Sequence, residues 1–353
     1  MKFSSIAIII LQNIKIWIFK ALSLEHKLVP YKVLISLTNQ CNSRCVYCDI
    51  WKINSEDKSK LQAELKLEEL DSVFSDLGEH LIWLSLSGGE VTLVPYFKEM
   101  VLSAKKHCKN LKVFTFTTNA LAPDRAVEYA IFTKKLGLDV FITISLDGDE
   151  ETHDALRGIK GNFKKCVRLY EMLRTAGVNA HYGVTVGDGN EQFIKNDFPK
   201  MASMIRSVTF VHSGGIYHKE NASDNSIMLK SLALINNCYK ISNLSEIIEK
   251  IHIKVSYFML QNNMKKSIIP CDVLNSSIHI MPYGEIKPCM YMPEIGNIRQ
   301  SGILKSLMGP FSAKSKADIK NDQCPHCWMN CYSPYSIMQH PFLAIKYLFR
   351  EIK

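Results

Sequence analysis

Lys32-Val33-Leu34-Ile35-Ser36-Leu37 runs, after three polar residues, into Cys41-Asn42-Ser43-Arg44-Cys45-Val46-Tyr47-Cys48. The first segment is a short apolar run rich in β-branched residues, and it reads as a buried strand. The second places three cysteines in a C-x3-C-x2-C spacing on the loop that follows. Thiolates are the usual ligands of iron–sulfur clusters, and a fully ligated cubane takes four. Three local cysteines therefore leave one iron for a distant ligand or for another molecule. A zinc site also takes four Cys or His ligands, but usually as two close pairs, and no second pair lies near. Unrelated buried cysteines, acting as small hydrophobes, are the other alternative.

The pattern of the first strand repeats downstream. Leu81–Leu86 leads into Ser87-Gly88-Gly89-Glu90, where paired glycines let backbone approach a ligand closely and a carboxylate follows. Val113–Asn119, Val140–Gly148, Val178–Gly187 and Ser207–His212 read as further strands. Helical stretches are expected at Pro95–Lys106, Arg125–Leu136, Phe163–Ala176 and Phe193–Ile205, with a solvated loop over Lys52–Lys66. Strands alternating with helices argue for parallel βαβ units in an α/β fold. Six units fit a partial (β/α)6 TIM-like barrel, because a full eight-unit barrel needs about 250 residues.

Together these segments resemble the radical S-adenosylmethionine (SAM) enzymes, whose signature is C-x3-C-x-Φ-C with Φ aromatic. Tyr47 holds the Φ position, and the resemblance covers residues 32–335. It implies a 4Fe–4S cluster on Cys41, Cys45 and Cys48, with SAM chelated to the open iron. Electron transfer then gives methionine and a 5′-deoxyadenosyl radical that abstracts hydrogen from a substrate. Gly88, Gly89 and Glu90 correspond to the family's GGE motif, which meets the SAM amino group. Ser145, at the end of the fourth strand, corresponds to the serine at the ribose. Arg157 corresponds to the arginine at the carboxylate, a task suited to its planar fork. Val184 and Val186 are expected at the adenine or in the plain core. His153 is expected to serve its loop by hydrogen bonding. His212, Tyr217 and His218 are substrate-side candidates, since polar groups at barrel-strand ends can face the substrate. No acid, base or radical-quenching residue is identified.

Five of the eleven cysteines follow residue 270: Cys271, Cys289, Cys324, Cys327 and Cys331. Gly284 precedes Cys289, and the last three form a C-x2-C-x3-C run. This set resembles the SPASM and twitch extensions of the radical SAM family, which carry auxiliary 4Fe–4S clusters. Two such clusters would take about eight thiolates, so one is expected. Its ligands are Cys271, Cys289 and Cys324, with Cys327 or Cys331 as the fourth. A zinc ribbon on the same residues is the alternative. Cys108, Cys166 and Cys238 fall in helical patterns and are expected in the core.

The expected organisation is an amphipathic N-terminal helix over 1–30, a radical SAM barrel over 31–240, a small Cys-rich auxiliary-cluster domain over 241–339 and an amphipathic C-terminal helix over 340–353. The chain has 353 residues, is 47% hydrophobic and carries a net charge of +9. Metal-type cysteine spacing fits a reducing cytoplasm rather than disulfides. No basic stretch has the aromatic interleaving of a nucleic-acid groove, so nucleic acid is not an expected partner. The run Ile6–Leu11 is too short to cross a bilayer, which takes about 20 apolar residues. Polar Gln12, Asn13, Lys15 and Lys20 fit a helix lying at a membrane interface, or one covering the barrel. Residues 342–349 look similar.

The expected activity is hydrogen abstraction from a peptide or other sizeable substrate, with an electron from a reductant such as flavodoxin or ferredoxin. Peptide modification follows only from the resemblance, since fold does not fix substrate. Radical oxidation or rearrangement of a sugar, lipid-linked or small metabolite is the same-class alternative. A non-catalytic metal-binding scaffold is the alternative from another class.

Overall fold

A computed structural model describes residues 2–212, 223–239 and 241–352. Six parallel strands follow one another in chain order: β1 (Lys32–Ser36), β2 (Trp83–Ser87), β3 (Val113–Thr118), β4 (Asp139–Ser145), β5 (Asn179–Val186) and β6 (Ile205–Phe210). Beyond β1 the sheet continues with β7 (Ser277–Ile280), β8 (Glu285–Lys287) and β9 (Gly296–Asn297), giving the order β6-β5-β4-β3-β2-β1-β7-β8-β9. β7 pairs in parallel with β1, Lys32 against Ser277 and Ile35 against Ile280, while β8 and β9 turn antiparallel. The Cys-rich segment thus lends a strand to the barrel sheet.

Helix α1 (Phe3–Ala21) precedes the sheet. Helices α2 (Ile50–Glu56), α3 (Ser59–Gln62) and α4 (Leu67–Leu77) link β1 to β2. Next come α5 (Phe97–His107), α6 (Pro123–Lys135), α7 (Glu150–Arg157), α8 (Asn162–Thr175), α9 (Glu191–Asn196) and α10 (Phe198–Met201). After β6 come α11 (Asn225–Cys238) and α12 (Leu244–Gln261). After β9 come α13 (Ile303–Leu307), α14 (Pro310–Lys320), α15 (Ser333–Gln339) and α16 (Pro341–Phe349).

The period-2 rule explains the two faces of the sheet. Leu84, Leu86, Phe114, Phe116, Ile142, Ile144, Val184 and Val208 join the main core with Phe74, Phe97 and Leu169 from the helices. The other, concave face carries hydroxyls and polar rings. Trp83 Nε1 donates to Thr115 Oγ1 at 3.1 Å, Thr115 to Ser85 Oγ at 2.9 Å, and Thr143 Oγ1 lies 2.9 Å from His181 Nε2.

Two expected elements differ. The stretch Phe193–Ile205 is not one helix. It breaks into α9 and α10 because Pro199 cannot donate to the turn before it, and Ile205 already starts β6. Lys52–Lys66 is not a loop but contains most of α2 and all of α3, and it buries Asn54, Glu64 and Leu65. Glu64 explains the folding of this segment: its carboxylate accepts from the Asn39 N–H at 2.6 Å and from Asn54 Nδ2 at 2.8 Å. The segment is thereby tied to the loop leaving β1.

Helix α1 lies across the N-terminal ends of the strands. Ile9 and Ile16 pack with Leu28, Tyr31, Ile82, Val113 and Tyr335, and the Lys2 backbone N–H donates to Asp139 Oδ2 at 2.6 Å. Helix α12 packs on the far edge strand. His252 Nε2 lies 2.9 Å from the Val208 carbonyl, and Glu249 accepts from the Val208 N–H at 2.8 Å.

Candidate metal centres

The cysteine loop leaves the C-terminal end of β1, opposite α1. Its shape is set by the end of α7. Arg44 N–H donates to the Arg157 carbonyl at 3.0 Å, Val46 N–H to the Leu156 carbonyl at 2.9 Å and Ser43 Oγ to the Arg157 carbonyl at 3.1 Å. Gly158 stops α7 in the left-handed region at φ 66°, and a Cβ there would lie 2.7 Å from the Arg44 carbonyl oxygen. Only glycine fits so close an approach. Cys41, Cys45 and Cys48 are half-buried thiols. Burial pushes the Cys41 thiol up to about 12 and the Cys48 thiol up to about 11.

Polar groups face these sulfurs. Arg157 Nη1 donates to Cys45 Sγ at 3.7 Å, and Asn119 Nδ2 lies 3.9 Å from Cys41 Sγ. Arg157 is not a free cation, since its Nε lies 2.7 Å from Asp147 Oδ2. Asp147 Oδ1 in turn accepts from the Thr185 N–H at 2.8 Å. Tyr47 turns away from the sulfurs and donates its hydroxyl to the Asp188 carbonyl, linking the loop to the end of β5.

The Gly88-Gly89-Glu90 segment has two functions here. The close approach of its glycines is to the loop leaving β1. A Cβ on Gly88 would sit 2.5 Å from the Thr38 oxygen, and one on Gly89 2.1 Å from the Gln40 oxygen. Gly89 N–H donates to Thr38 O at 2.6 Å and Glu90 N–H to Gln40 O at 2.8 Å. Glu90 is buried, and Oε1 accepts from the Thr92 N–H (3.1 Å), Thr92 Oγ1 (2.7 Å) and Thr118 Oγ1 (2.7 Å). Oε2 accepts from the Asn119 N–H at 2.8 Å, which leaves it a lone pair. Burial raises the Glu90 pKa, against the pull of these donors.

Ser145 closes β4 on the face opposite core-packed Ile144, and its carbonyl accepts from the Cys166 thiol at 3.4 Å. Val184 and Val186 are fully buried in the main core. His153 is structural: it is buried, and Nδ1 accepts from the Asp147 N–H at 3.1 Å. His212 is buried with its ring 4.2 Å from that of Phe210. Tyr217 and His218 lie outside the described residues. Cys108 and Cys166 are core thiols, whereas Cys238 is only half-buried.

The second thiol set rings an apolar cavity. Cys271, Cys289, Cys324 and Cys327 line it with Ile269, Val273, Met292 and Trp328. Burial pushes Cys271 up to about 12, while the hydrogen bond from Cys327 lowers Cys289 and raises Cys327. Cys331 is absent from this lining. It packs in the same apolar cluster as the other four, and its backbone carbonyl accepts from Lys32 Nζ at 3.2 Å. His326 lines the cavity and holds Nδ1 3.8 Å from Cys324 Sγ.

Among the described residues no three Cys, His, Asp or Glu side chains converge on a point that would hold one metal ion. The thiols of the second set stand around a space. Soft sulfur donors, and four of them around the apolar cavity, fit an iron–sulfur cluster.

A buried hydrogen-bonded chain links the end of β1 to Tyr332, next to Cys331. Ser36 Oγ lies 2.8 Å from His279 Nε2, and His279 Nδ1 lies 3.0 Å from the Tyr332 hydroxyl. Leu34 and Tyr332 share an apolar cluster with the auxiliary cysteines.

Comparison with known proteins agrees with this division. Residues 35–194 match the Radical SAM superfamily, and residues 271–332 match SPASM, an iron–sulfur cluster-binding domain. The sporulation killing factor maturation protein SkfB of Bacillus subtilis is 32% identical over 163 residues, covering 46% of this chain and 37% of SkfB. The chain thus spans well under half the length of that relative. The AdoMet-dependent heme synthase of Methanosarcina barkeri is 24% identical, covering 86% of this chain and 93% of that one. Among solved structures, SuiB of Streptococcus suis superposes with a TM-score of 0.60 at 16% identity, over 84% of this chain and 70% of SuiB. That likeness concerns the fold.

Proposed function

We propose that this chain, which belongs to the radical SAM superfamily and carries a C-terminal SPASM domain, cleaves S-adenosylmethionine reductively and abstracts hydrogen from a peptide substrate. The observation that carries the reading is the pair of thiol sets: three half-buried cysteines on one loop, and four around a largely apolar cavity. Cys41, Cys45 and Cys48 would hold the first 4Fe–4S cluster, and Cys271, Cys289, Cys324 and Cys327 the auxiliary one. When bound, the first cluster supplies the electron that breaks the sulfonium bond.

The chain's own groups prepare the site. Glu90 keeps a lone pair on Oε2 for the SAM ammonium. Arg157 is held by Asp147, so its remaining N–H groups can face a carboxylate. Gly89 and Glu90 hold the loop leaving β1 by direct backbone hydrogen bonds to the Thr38 and Gln40 carbonyls. Ser145 stands at the strand end proposed for the ribose.

A peptide is favoured as substrate because SkfB is named a maturation protein and SuiB has been solved bound to its precursor peptide. The heme synthase match supports a second reading, radical oxidation of a small metabolite. The reading includes a flavodoxin or ferredoxin as electron donor. It places the enzyme in a reducing cytoplasm, with its apolar terminal helices touching the membrane.

The test uses anaerobically reconstituted protein, assayed for iron, sulfide, zinc and 5′-deoxyadenosine after SAM and dithionite are added. About eight irons, with deoxyadenosine lost in the Cys41→Ala/Cys45→Ala/Cys48→Ala variant, is the expected result. Zinc in place of iron, with no SAM cleavage, overturns the reading.

A further inference from the structure

Helix α1 is apolar on two opposite faces. Ser5, Ile9, Asn13 and Ile16 form the inner stripe, buried against the strand ends. Ile10, Leu11, Ile14, Trp17, Ile18 and Leu22 form an outer stripe of exposed apolar side chains, with Leu11 62% exposed. Positions three and four apart share a helix face, so this second stripe is continuous. Covering the barrel needs only the first.

A second such face adjoins it. Trp17 Nε1 donates to the Gln339 carbonyl at 2.9 Å, and Gln339 Nε2 donates to Asn13 Oδ1 at 2.8 Å. Three residues beyond Gln339, α16 presents Phe342, which is 85% exposed, followed by Ile345 and Phe349. Residues 1–24 and 340–353 contain six Lys or Arg and one carboxylate, Glu351. Lys20 is paired with Asp272; Lys15 lies over the Phe19 ring and Lys346 is exposed.

We infer that these two outer stripes dock the protein on an anionic bilayer, with the closed end of the barrel toward the lipid and the cysteine loop facing the water. The inference rests on the proposed membrane contact and deepens it. An apolar stripe flanked by cations matches a helix lying in the headgroup region. The stretch Ser4–Ala21 also meets the length and hydropathy of a membrane span. Spanning would strip Ile9, Asn13 and Ile16 from Tyr31, Ile82 and Tyr335, so α1 lies along the surface. Because α1 covers the N-terminal strand ends, the SAM-side mouth is at the far end of the barrel. The substrate therefore arrives from solution, which disfavours a lipid-linked one.

The test is co-sedimentation of the full chain with phosphatidylcholine vesicles, with and without phosphatidylglycerol. Binding is expected only with the anionic lipid and should weaken in high salt. Leu11→Glu/Ile14→Glu/Phe342→Glu should bind at least about tenfold more weakly, with unchanged thermal unfolding and unchanged deoxyadenosine formation in solution. Phe342→Glu alone is the milder variant. Equal binding by wild type and variants, or no binding by wild type, overturns the inference. So does a solution dimer that these variants dissociate, because a second copy then covers the face. Intact binding by a protein that holds zinc in place of iron and cleaves no SAM would sink the proposed reaction and leave the docking surface standing.

Discussion

Arg157 Nε lies 2.7 Å from Asp147 Oδ2, and both side chains are largely buried behind the cysteine loop. The pair fixes the guanidinium whose Nη1 points at Cys45 Sγ. Breaking a buried pair leaves one charge uncompensated and typically costs about 3–5 kcal/mol. Asp147→Ala is therefore expected to lower the unfolding free energy by that order, read as a lower urea midpoint, and to reduce iron uptake. Equal stability of variant and wild type would show that Arg157 has another buried partner.

Gly89→Ala would place a methyl 2.1 Å from the Gln40 carbonyl oxygen. Backbone cannot swing aside as a flexible side chain can. We expect a loss of about 1–3 kcal/mol from overpacking, with the loop leaving β1 displaced from Glu90. Denaturant titration reads the first effect, and iron content after reconstitution reads the second.

Cys327 and Cys331 are separable by their surroundings, one on the cavity and one beside Lys32. Reconstituted Cys327→Ala should lose about four irons, whereas Cys331→Ala should keep them. Iron loss in the second variant alone would reverse the assignment.

His252 makes folding sensitive to acid. A carbonyl only accepts, so Nε2 carries the proton toward Val208 and Nδ1 accepts from Ser333 Oγ at 2.8 Å. Burial lowers its pKa from 6.5 to about 3. The unfolded chain therefore binds the extra proton first, and stability falls as pH drops from about 6.5 toward about 3. His252→Gln should be less stable at pH 7 yet lose less on acidification. Thermal unfolding from pH 7 to pH 4 measures the difference in slope.

The barrel was legible because every strand of the sheet up to β6 is a short apolar run ending in polar or glycine residues. Each lies within a few residues of its expected place. Cys41, Cys45 and Cys48 stood out as a set because their spacing is local, and they lie half-buried on one loop. What escaped depends on distant partners. Glu64 looks like one more charge in a polar stretch until the Asn39 N–H reaches it. Asp147 gives no signal apart from Arg157. Gly88 and Gly89 suggest a close approach, but only the fold shows that the Thr38 and Gln40 carbonyls are what they approach. Cys331 shares a run with Cys324 and Cys327, and spacing alone could not show that Cys327 lines the cavity while the Cys331 carbonyl meets Lys32. Pro199 was a readable break in the stretch that folds as α9 and α10.

The pairing of β7 with β1 has a consequence in time. During synthesis β1 and the cysteine loop emerge early, but Ser277–Ile280 follow only after residues 37–276 have been made. At roughly 5–20 residues per second, the ribosome leaves that edge of β1 open for at least about ten seconds. The first thiols are thus on display well before the last ones exist, and the open edge of β1 waits for a strand that is made near the end of the chain.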